Sequence, residues 1–584
     1  MSTFLDKRRD VFPPFAAGVR RALPNIYDLV FLLLLGAGLV VLARGAHEMA
    51  QPLAQLDVSP VSLDLANLPD YAARTTLRMV VAILLSLLFT FTIATWAAKS
   101  RRAELVIVPA LDILQSVPVL GFLTFTVTFF LGLFPGSLLG AEAAAIFAIF
   151  TSQAWNMAFS FYQSLRTVPK DLDEVSLHFR LSGWMRFWRL EVPFAMPGLI
   201  WNTMMSMSGG WFFVVASEAI TVGDTTIKLP GIGSWLALAI ERRDIAAVAW
   251  AVLAMGIVIL LYDQLVFRPI VAWADKFRFE QTAAQQRPRS WVYDLVRRTR
   301  LVKRAGAPVR WLADRLMRAT ARTKRTWTRQ EVGQPVGRLQ DTAWLVVVLA
   351  GTLWAAWTIF AYVRATLGPS DLWEAVVDGG VTMIRVLILI LIASLVWVPV
   401  GVWIGLRPAW AQRVQPVAQF LAAFPANVLF PIFVVLIATK ALDPNIWLSP
   451  LMVLGTQWYI LFNVIAGASA FPTDLREAAT LFRLRRWQWW RKAILPGIFP
   501  YYVTGALTAS GGSWNASIVA EVASWGDTRL EAAGLGSFIA RATEAGDYPR
   551  VVLGVAVMSL FVVIFNRLLW RPLYVYAERR LRLD

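Results

Sequence analysis

The sequence predicts an all-α polytopic membrane protein, with about twelve transmembrane helices set out as a parallel six-plus-six internal repeat. Three observations predict it. Of the 584 residues, 57% are apolar and only 16% charged, with a mean hydropathy of +0.57; a soluble chain carries about 25% charged residues. The apolar residues fall in runs of about 20, the length a helix needs to cross a bilayer. The second half of the chain also repeats the first at a nearly constant offset.

The expected spans, in order, are Tyr27–Ala43, Thr75–Ala97, Val106–Leu133, Ala141–Leu165, Pro197–Ile220 and Ile245–Phe267 (spans 1–6). Spans 7–12 follow at Ala343–Val363, Val381–Ile404, Val414–Ile437, Ile446–Ala468, Tyr501–Val522 and Val551–Leu569. Helices are the expected form, because backbone groups in lipid must be paired within the segment. Span 1 reads as a retained helix and not a cleaved signal: the stretch up to Asn25 is long for a signal's leading region, and an equivalent span opens the second half. The chain therefore divides into a first half, 1–267, a basic connector, 268–341, and a second half, 342–584.

Net charge is +18, but its placement points to a membrane and not to nucleic acid. The connector Arg268–Asp341 holds 18 Lys and Arg against 6 acids. Other basic clusters are Lys7-Arg8-Arg9 before span 1, Lys99, Arg101 and Arg102 after span 2, Lys170, Arg180, Arg186 and Arg189 after span 4, and Arg571, Arg579, Arg580 and Arg582 after span 12. All fall on one side if the N-terminus is cytoplasmic, as the positive-inside rule requires. The other side carries Glu48, Asp57, Asp64 and Asp70, then Asp371, Glu374 and Asp378. A bacterial inner membrane location with both termini cytoplasmic is expected.

The repeat is specific. Thr75-x-x-Arg78 matches Thr382-x-x-Arg385, and Pro109 and Pro118 match Pro416 and Pro425. Trp155, Phe179-Arg180-Leu181, Pro193 and Pro197 recur as Trp458, Phe482-Arg483-Leu484, Pro496 and Pro500. Glu218, Gly231-x-Gly233-Ser234 and Asp244 recur as Glu521, Gly534-x-Gly536-Ser537 and Asp547. Six spans per half make the repeat parallel, with its axis along the membrane normal and a pathway expected between the halves.

Between spans 4 and 5, about residues 168–197, the chain reads Pro169-Lys-Asp-Leu-Asp-Glu174-Val-Ser and closes on Glu191-Val-Pro193. Between spans 10 and 11, about 471–500, it reads Pro472-Thr-Asp-Leu-Arg-Glu477-Ala478-Ala479 and closes on Ile494-Leu-Pro496. Proline and acids at the start suit a helix N-terminus, and an interfacial helix lying on the membrane is the plain alternative. Both segments resemble the EAA loop of ABC importer permeases. Ala520-Glu521, Gly534-Leu-Gly536, Asp547 and the basic tail narrow the resemblance to the nitrate, taurine, aliphatic-sulfonate and bicarbonate permeases, over spans 2–6 and 8–12. The resemblance implies a type I importer permease with both permease domains in one chain, passing a small solute, commonly an anion. It implies short coupling helices docked on two ABC ATPase subunits, with Glu174, Arg180, Glu477, Ala478, Ala479 and Arg483 as contacts, and a periplasmic or lipid-anchored solute-binding protein. Where that family has glycine, six residues after the Glu, this chain has Arg180 and Arg483. A differently built break between the coupling helices is therefore expected, and Glu-Val-Ser in the first loop suggests a weaker dock there.

Other chemistry is excluded or unsupported. No Gly-x-x-x-x-Gly-Lys-Ser/Thr occurs, so ATP and Mg would belong to partner subunits and no cofactor is expected in this chain. Cysteine is absent and histidine occurs only at His47 and His178, which leaves no metal site and no evident catalytic group. Polar groups in spans tend to face an interior or a cavity. The pathway candidates are Gln153, Asn156, Ser208, Trp211, Gln457, Asn463, Ser510, Trp514 and Asn515; the competing reading for each is helix–helix hydrogen bonding. Glu218 and Glu521, near the outer ends, are placed to meet a binding protein. In the connector, Trp291–Val296 and Trp311–Met317 alternate apolar and arginine faces, as interfacial helices do; a disordered tether between the halves is the competing reading. The rival reading of the whole is an ion- or proton-coupled secondary carrier of six-plus-six architecture. It leaves the duplicated loop unexplained, and the loop after span 2 lacks that superfamily's Gly-x-x-x-Asp-Arg pattern.

Overall fold

The computed structural model describes residues 61–114, 119–135, 137–179, 181–222, 225–277, 290–299, 338–469 and 473–580, with Val30, Pro308, Trp311, Arg315 and Phe471. Span 1, but for Val30, lies outside the described residues. Six described helices are long and apolar enough to cross a membrane: Leu65–Lys99, Leu138–Arg166, Ile245–Phe277, Val346–Arg364, Pro369–Gly405 and Tyr548–Ala577. These are spans 2, 4, 6, 7, 8 and 12.

The other expected spans differ for physical reasons. Span 9 is bent by 78° between Ala409–Ala423 and Ala426–Thr439. Pro425 sits at the bend; it has no N–H to give and drives Phe424 into an extended conformation, ψ 126°. Span 10 is bent by 44° between Pro444–Leu454 and Gln457–Ser469. Span 3 is described as two helices, Arg101–Leu114 and Val119–Leu133. Spans 5 and 11 are helices of 27 and 26 residues, Val192–Glu218 and Leu495–Ala520. Each is about 40 Å long, long enough to cross a bilayer, with serines, threonines and asparagines interrupting the apolar run.

The fold is not wholly helical. Span 5 leads into an antiparallel hairpin, β1 (Ala219–Val222) with β2 (Thr225–Lys228), in the register Ala219 to Lys228. Span 11 leads into its counterpart, β3 (Val522–Trp525) with β4 (Thr528–Glu531), in the register Val522 to Glu531. Gly526 occupies the turn with φ 55°, which glycine adopts freely. A ten-residue helix follows each hairpin, Ile232–Glu241 and Leu535–Glu544, before span 6 or 12. Even irregularities repeat: π-helical turns stand at Phe187–Glu191 and Trp490–Ile494, and at Asp263–Phe267 and Asn566–Trp570.

Two compact units are distinguished. The smaller comprises Met1–Ala43, Pro169–Pro197 and Asp263–Thr328; the larger comprises Arg44–Val168, Gly198–Tyr262 and Arg329–Asp584. The larger unit holds spans of both halves. In its second-half core Ile460, Val464, Val503, Trp514, Ile539 and Met558 are buried together. The outer face of the Val346–Arg364 helix exposes Leu353, Trp354, Trp357 and Phe360, as a helix facing acyl chains would. In the smaller unit the connector forms the expected first helix, Trp291–Arg298, capped by Ser290 Oγ accepting from Tyr293 N at 3.2 Å. The second expected connector helix lies largely outside the described residues; Arg315 stacks on the Trp311 ring at 5.0 Å.

Spans 8 and 10 approach closely through small residues. A Cβ at Gly401 would stand 2.8 Å from Val464 Cγ1, and one at Gly405 would stand 2.6 Å from Ala468 Cβ and 2.7 Å from Ile465 O. This Gly-x-x-x-Gly face lets two backbones meet where lipid gives no hydrophobic drive. Gly405→Val should cost about 1–3 kcal/mol, read as a lower melting temperature of the purified protein. Gly380→Ala, where no atom lies within 4 Å of the new Cβ, should not lower it, since alanine favours a helix over glycine.

Candidate functional site

The repeat motifs converge on one arrangement in each half. In the first, Arg78 of span 2 is fully buried and donates Nε and Nη2 to the two Glu142 oxygens of span 4, both at 2.6 Å, and Nη1 to Glu218 Oε1 at 2.6 Å. Thr75 donates to Glu218 Oε1 at 2.7 Å and accepts from Ile232 N at 3.0 Å, while Gly233 N donates to Glu218 Oε2 at 2.6 Å. The carboxylate at the end of span 5 thus caps the short helix after the hairpin, whose N-terminus favours an anion. The Gly-x-Gly pair permits the approach: a Cβ at Gly231 would strike that carboxylate, and one at Gly233 the Val215 carbonyl.

The second half repeats this with one change. Arg385 donates Nη1 to Glu521 Oε1 at 2.6 Å, Thr382 donates to the same oxygen at 2.9 Å, and Leu535 N donates to Thr382 at 2.9 Å. Ser537 N reaches Glu521 Oε2 at 3.1 Å. At the place of Glu142 stands Asn445, whose Oδ1 accepts from Ala533 N at 2.9 Å, and Arg385 Nη2 turns to Ala533 O at 3.0 Å. Glu218 and Glu521 are therefore buried and paired, not presented at an outer surface as their position at the span ends suggested. All the pieces were visible as matched motifs; that they meet at one arginine was not.

Among the described residues, the hydrogen bonds between the halves are single and, but for one exposed ion pair, neutral. Val119 N, at the start of the helix Val119–Leu133 in span 3, donates to Asn515 Oδ1 of span 11 at 2.8 Å. At the equivalent place, just past the break of span 9, Asn427 Nδ2 donates to Phe212 O of span 5 at 3.1 Å. Ser208 Oγ donates to Ala422 O, and Tyr459 OH to Met205 O at 3.4 Å. Near the hairpins, Gly526 N donates to Ile240 O at 3.0 Å, and the exposed pair Arg243–Asp527 spans 2.6 Å.

Of the pathway candidates, Ser208 and Asn515 thus lie on this seam. Asn156 donates to Ser206 at 2.9 Å and Gln457 accepts from Trp397 at 2.8 Å, both within one half. Asn463 donates to Tyr459 O of its own helix at 2.8 Å, and Gln153 donates to Met79 Sδ at 3.2 Å. Trp211, Ser510 and Trp514 are buried, Trp211 edge-on to Tyr262 at 5.8 Å. Asn427 and Tyr459, which the sequence reading passed over, join the seam.

The two EAA-like loops form short helices, Lys170–His178 and Thr473–Leu481, with Glu174 and Glu477 exposed, Ala478 half-buried and Ala479 buried. The second ends with Arg483 N donating to Thr480 O at 3.0 Å and Leu484 N to Ala479 O at 2.9 Å, the pattern that needs a left-handed residue. Arg483 supplies it at φ 50°, and Arg486 is left-handed too, at φ 49°. The turn expected to be built differently is therefore the ordinary one, held by arginine at about 1–2 kcal/mol of strain. The first loop keeps the same bond, Leu181 N to Ser176 O at 3.1 Å; Arg180 lies outside the described residues.

Residues 90–268 and 397–582 each match the family model for the inner membrane component of binding-protein-dependent transport systems. The chain belongs to that family. Among curated relatives of this inner membrane component, it is 28% identical over 184 residues to a nitrate import permease of Leptolyngbya laminosa, covering 32% of this chain and 62% of the relative. It is 28% identical over 177 residues to a bicarbonate transport permease of Synechococcus elongatus, covering 30% and 60%. It is 28% identical over 197 residues to a glycine betaine/carnitine transport permease of Listeria monocytogenes, covering 32% and 62%. The chain thus spans about three fifths of the length of these relatives.

Arg78→Ala should destabilise by about 3–5 kcal/mol, because two buried carboxylates lose their partner. Arg385→Ala should cost less, with one carboxylate stranded. Thermal unfolding of the purified variants checks the order, and adding Glu142→Gln and Glu218→Gln to Arg78→Met should recover part of the loss.

Proposed function

We propose that this inner membrane component is the permease of an ATP-driven importer, with both permease domains in one chain. The observation that carries the reading is the loop helix found at the same place in both repeats, each closed by the same backbone bond and followed by a π-helical turn before span 5 or 11. A secondary carrier has no use for two such loops; an importer needs one for each of two ATPase subunits. Glu174 and Glu477, with Ala478, Ala479, Arg180 and Arg483, are the proposed contacts. ATP-driven closure of the subunits would draw on spans 5 and 11 and part the neutral seam between the halves.

The solute crosses between the halves, along the seam that includes Ser208 and Asn515, after delivery by a binding protein on the hairpin side. The relatives named for nitrate, bicarbonate and glycine betaine share small size, so the solute proposed is small. Arg78 and Arg385 are already paired with carboxylates, so an anion in the pathway would be held by neutral donors. The loops, the connector and both termini lie in the cytoplasm in this reading.

Glu477→Ala should abolish solute-stimulated ATP hydrolysis in proteoliposomes of the purified complex while basal hydrolysis continues; wild-type coupling in both Glu477→Ala and Glu174→Ala would refute the contact role. Reporter fusions after Arg289 and at Asp584 should both give a cytoplasmic signal, and an external signal at either would invert the topology.

A further inference from the structure

The two loops are built alike but charged differently. Pro169–Glu191 carries four basic and four acidic side chains, and the equivalent Pro472–Ile494 carries six basic and two acidic. In the first loop part of the charge is met internally: Arg186 pairs with Asp173 and, at 3.1 Å, with Glu191. The second loop has Arg476, Trp489 and Ile494 at those three places, so the tie cannot form. Arg483, Arg485 and Arg486 are exposed, and no ion pair involves them among the described residues. Beside them Leu481, Phe482 and Trp487 are 81%, 75% and 68% exposed. Large apolar side chains flanked by unpaired arginines, on a backbone held left-handed at Arg483 and Arg486, describe a surface made for a partner.

We propose that the second loop docks in a groove of an ATPase subunit with an apolar floor and an acidic rim, and that this dock carries the salt sensitivity of the assembly. This rests on the importer reading above. The three apolar side chains fill the floor, and the three arginines meet the rim. The first loop, with four basic and four acidic side chains and Arg186 already paired, docks without a net charge contribution. The two ATPase contacts are therefore unequal even if the subunits are identical.

The test uses the complex purified from native membranes, with retention of the co-purifying ATP-hydrolysing subunit measured against sodium chloride concentration. Screening should release subunit from the wild type as salt rises, because exposed charge pairs weaken within a Debye length. In Arg483→Gly/Arg485→Gln/Arg486→Gln, affinity at low salt should fall about tenfold or more and the salt dependence should flatten. The glycine relaxes the turn, so this loss is not one of folding, and the triple lysine variant should restore the salt dependence. Lys170→Gln/Arg189→Gln in the first loop should change neither. Wild-type affinity and salt dependence in the arginine variant would overturn the proposal. So would an effect confined to binding of anionic lipid vesicles, which would make the loop a membrane contact. If no ATP-hydrolysing subunit accompanies the native chain at any salt, the importer reading itself fails.

Discussion

A guanidinium inside a membrane-spanning helix persists only where its charge is met, since removing an ion from water costs several kcal/mol even after the protein relaxes. Arg78 meets that condition with two carboxylates and Arg385 with one carboxylate and a backbone carbonyl. Much of the architecture at this end of each half follows. Thr75 and Arg78 need span 2 beside the end of span 5, Glu142 brings in span 4, and the Glu218 carboxylate needs free backbone N–H groups, which the helix after the hairpin provides. The hairpin turns the chain back so that this helix N-terminus arrives at the carboxylate, and glycine at 231 and 233 keeps the approach open. Such a tie adds little net stability over an apolar packing, but it admits few alternatives: any other pairing of these elements strands a buried charge.

The duplication is a scaffold on which the halves have diverged where chemistry matters. Glu142 has become Asn445, so the second tie is single and Arg385 is slightly more exposed than Arg78. The seam bond is made by an asparagine on the helix in one half and on the bend in the other, Asn515 and Asn427, with the same outcome. A chain joining two permease domains is free to specialise them, because their order and stoichiometry are fixed by the connector.

The sequence made the membrane class, the repeat and the loop pairs legible because each leaves a long or duplicated signal. Apolar runs of about 20 residues and motifs at constant offset survive without any knowledge of packing. The hairpins were not legible: four-residue strands such as Ala-Ile-Thr-Val at the end of a span read as its continuation, and only the pairing distinguishes them. Bends at Pro425 and between Leu454 and Gln457 were hidden because apolar composition does not change across them. Arginine at a left-handed position was misread in the other direction: glycine is preferred there, not required, and the helix-end bonds enforce the conformation on Arg483. The site candidates were found by residue type, which identifies polar groups in spans but not which neighbour takes each bond. Gln457 and Asn156 went to helix pairs inside one half, while Asn427, sitting just past a proline, went to the seam.

The strengths of the contacts sort the molecule into what holds and what yields. Within each half, spans 2 and 5 and the hairpin helix are bound by buried, charge-assisted bonds, whose rupture costs about 3–5 kcal/mol. Across the described seam, single neutral hydrogen bonds are worth about 0.5–1.5 kcal/mol each, and the one ion pair, Arg243–Asp527, is exposed and so contributes at most about 1 kcal/mol. Span 11 runs as one helix from Leu495 to Ala520 and delivers Glu521 to the tie of its half. The seam's single bonds are thus weaker than the ties within the halves, and Asn515, Asn427, Ser208 and Tyr459 are the polar groups that breaking them would free.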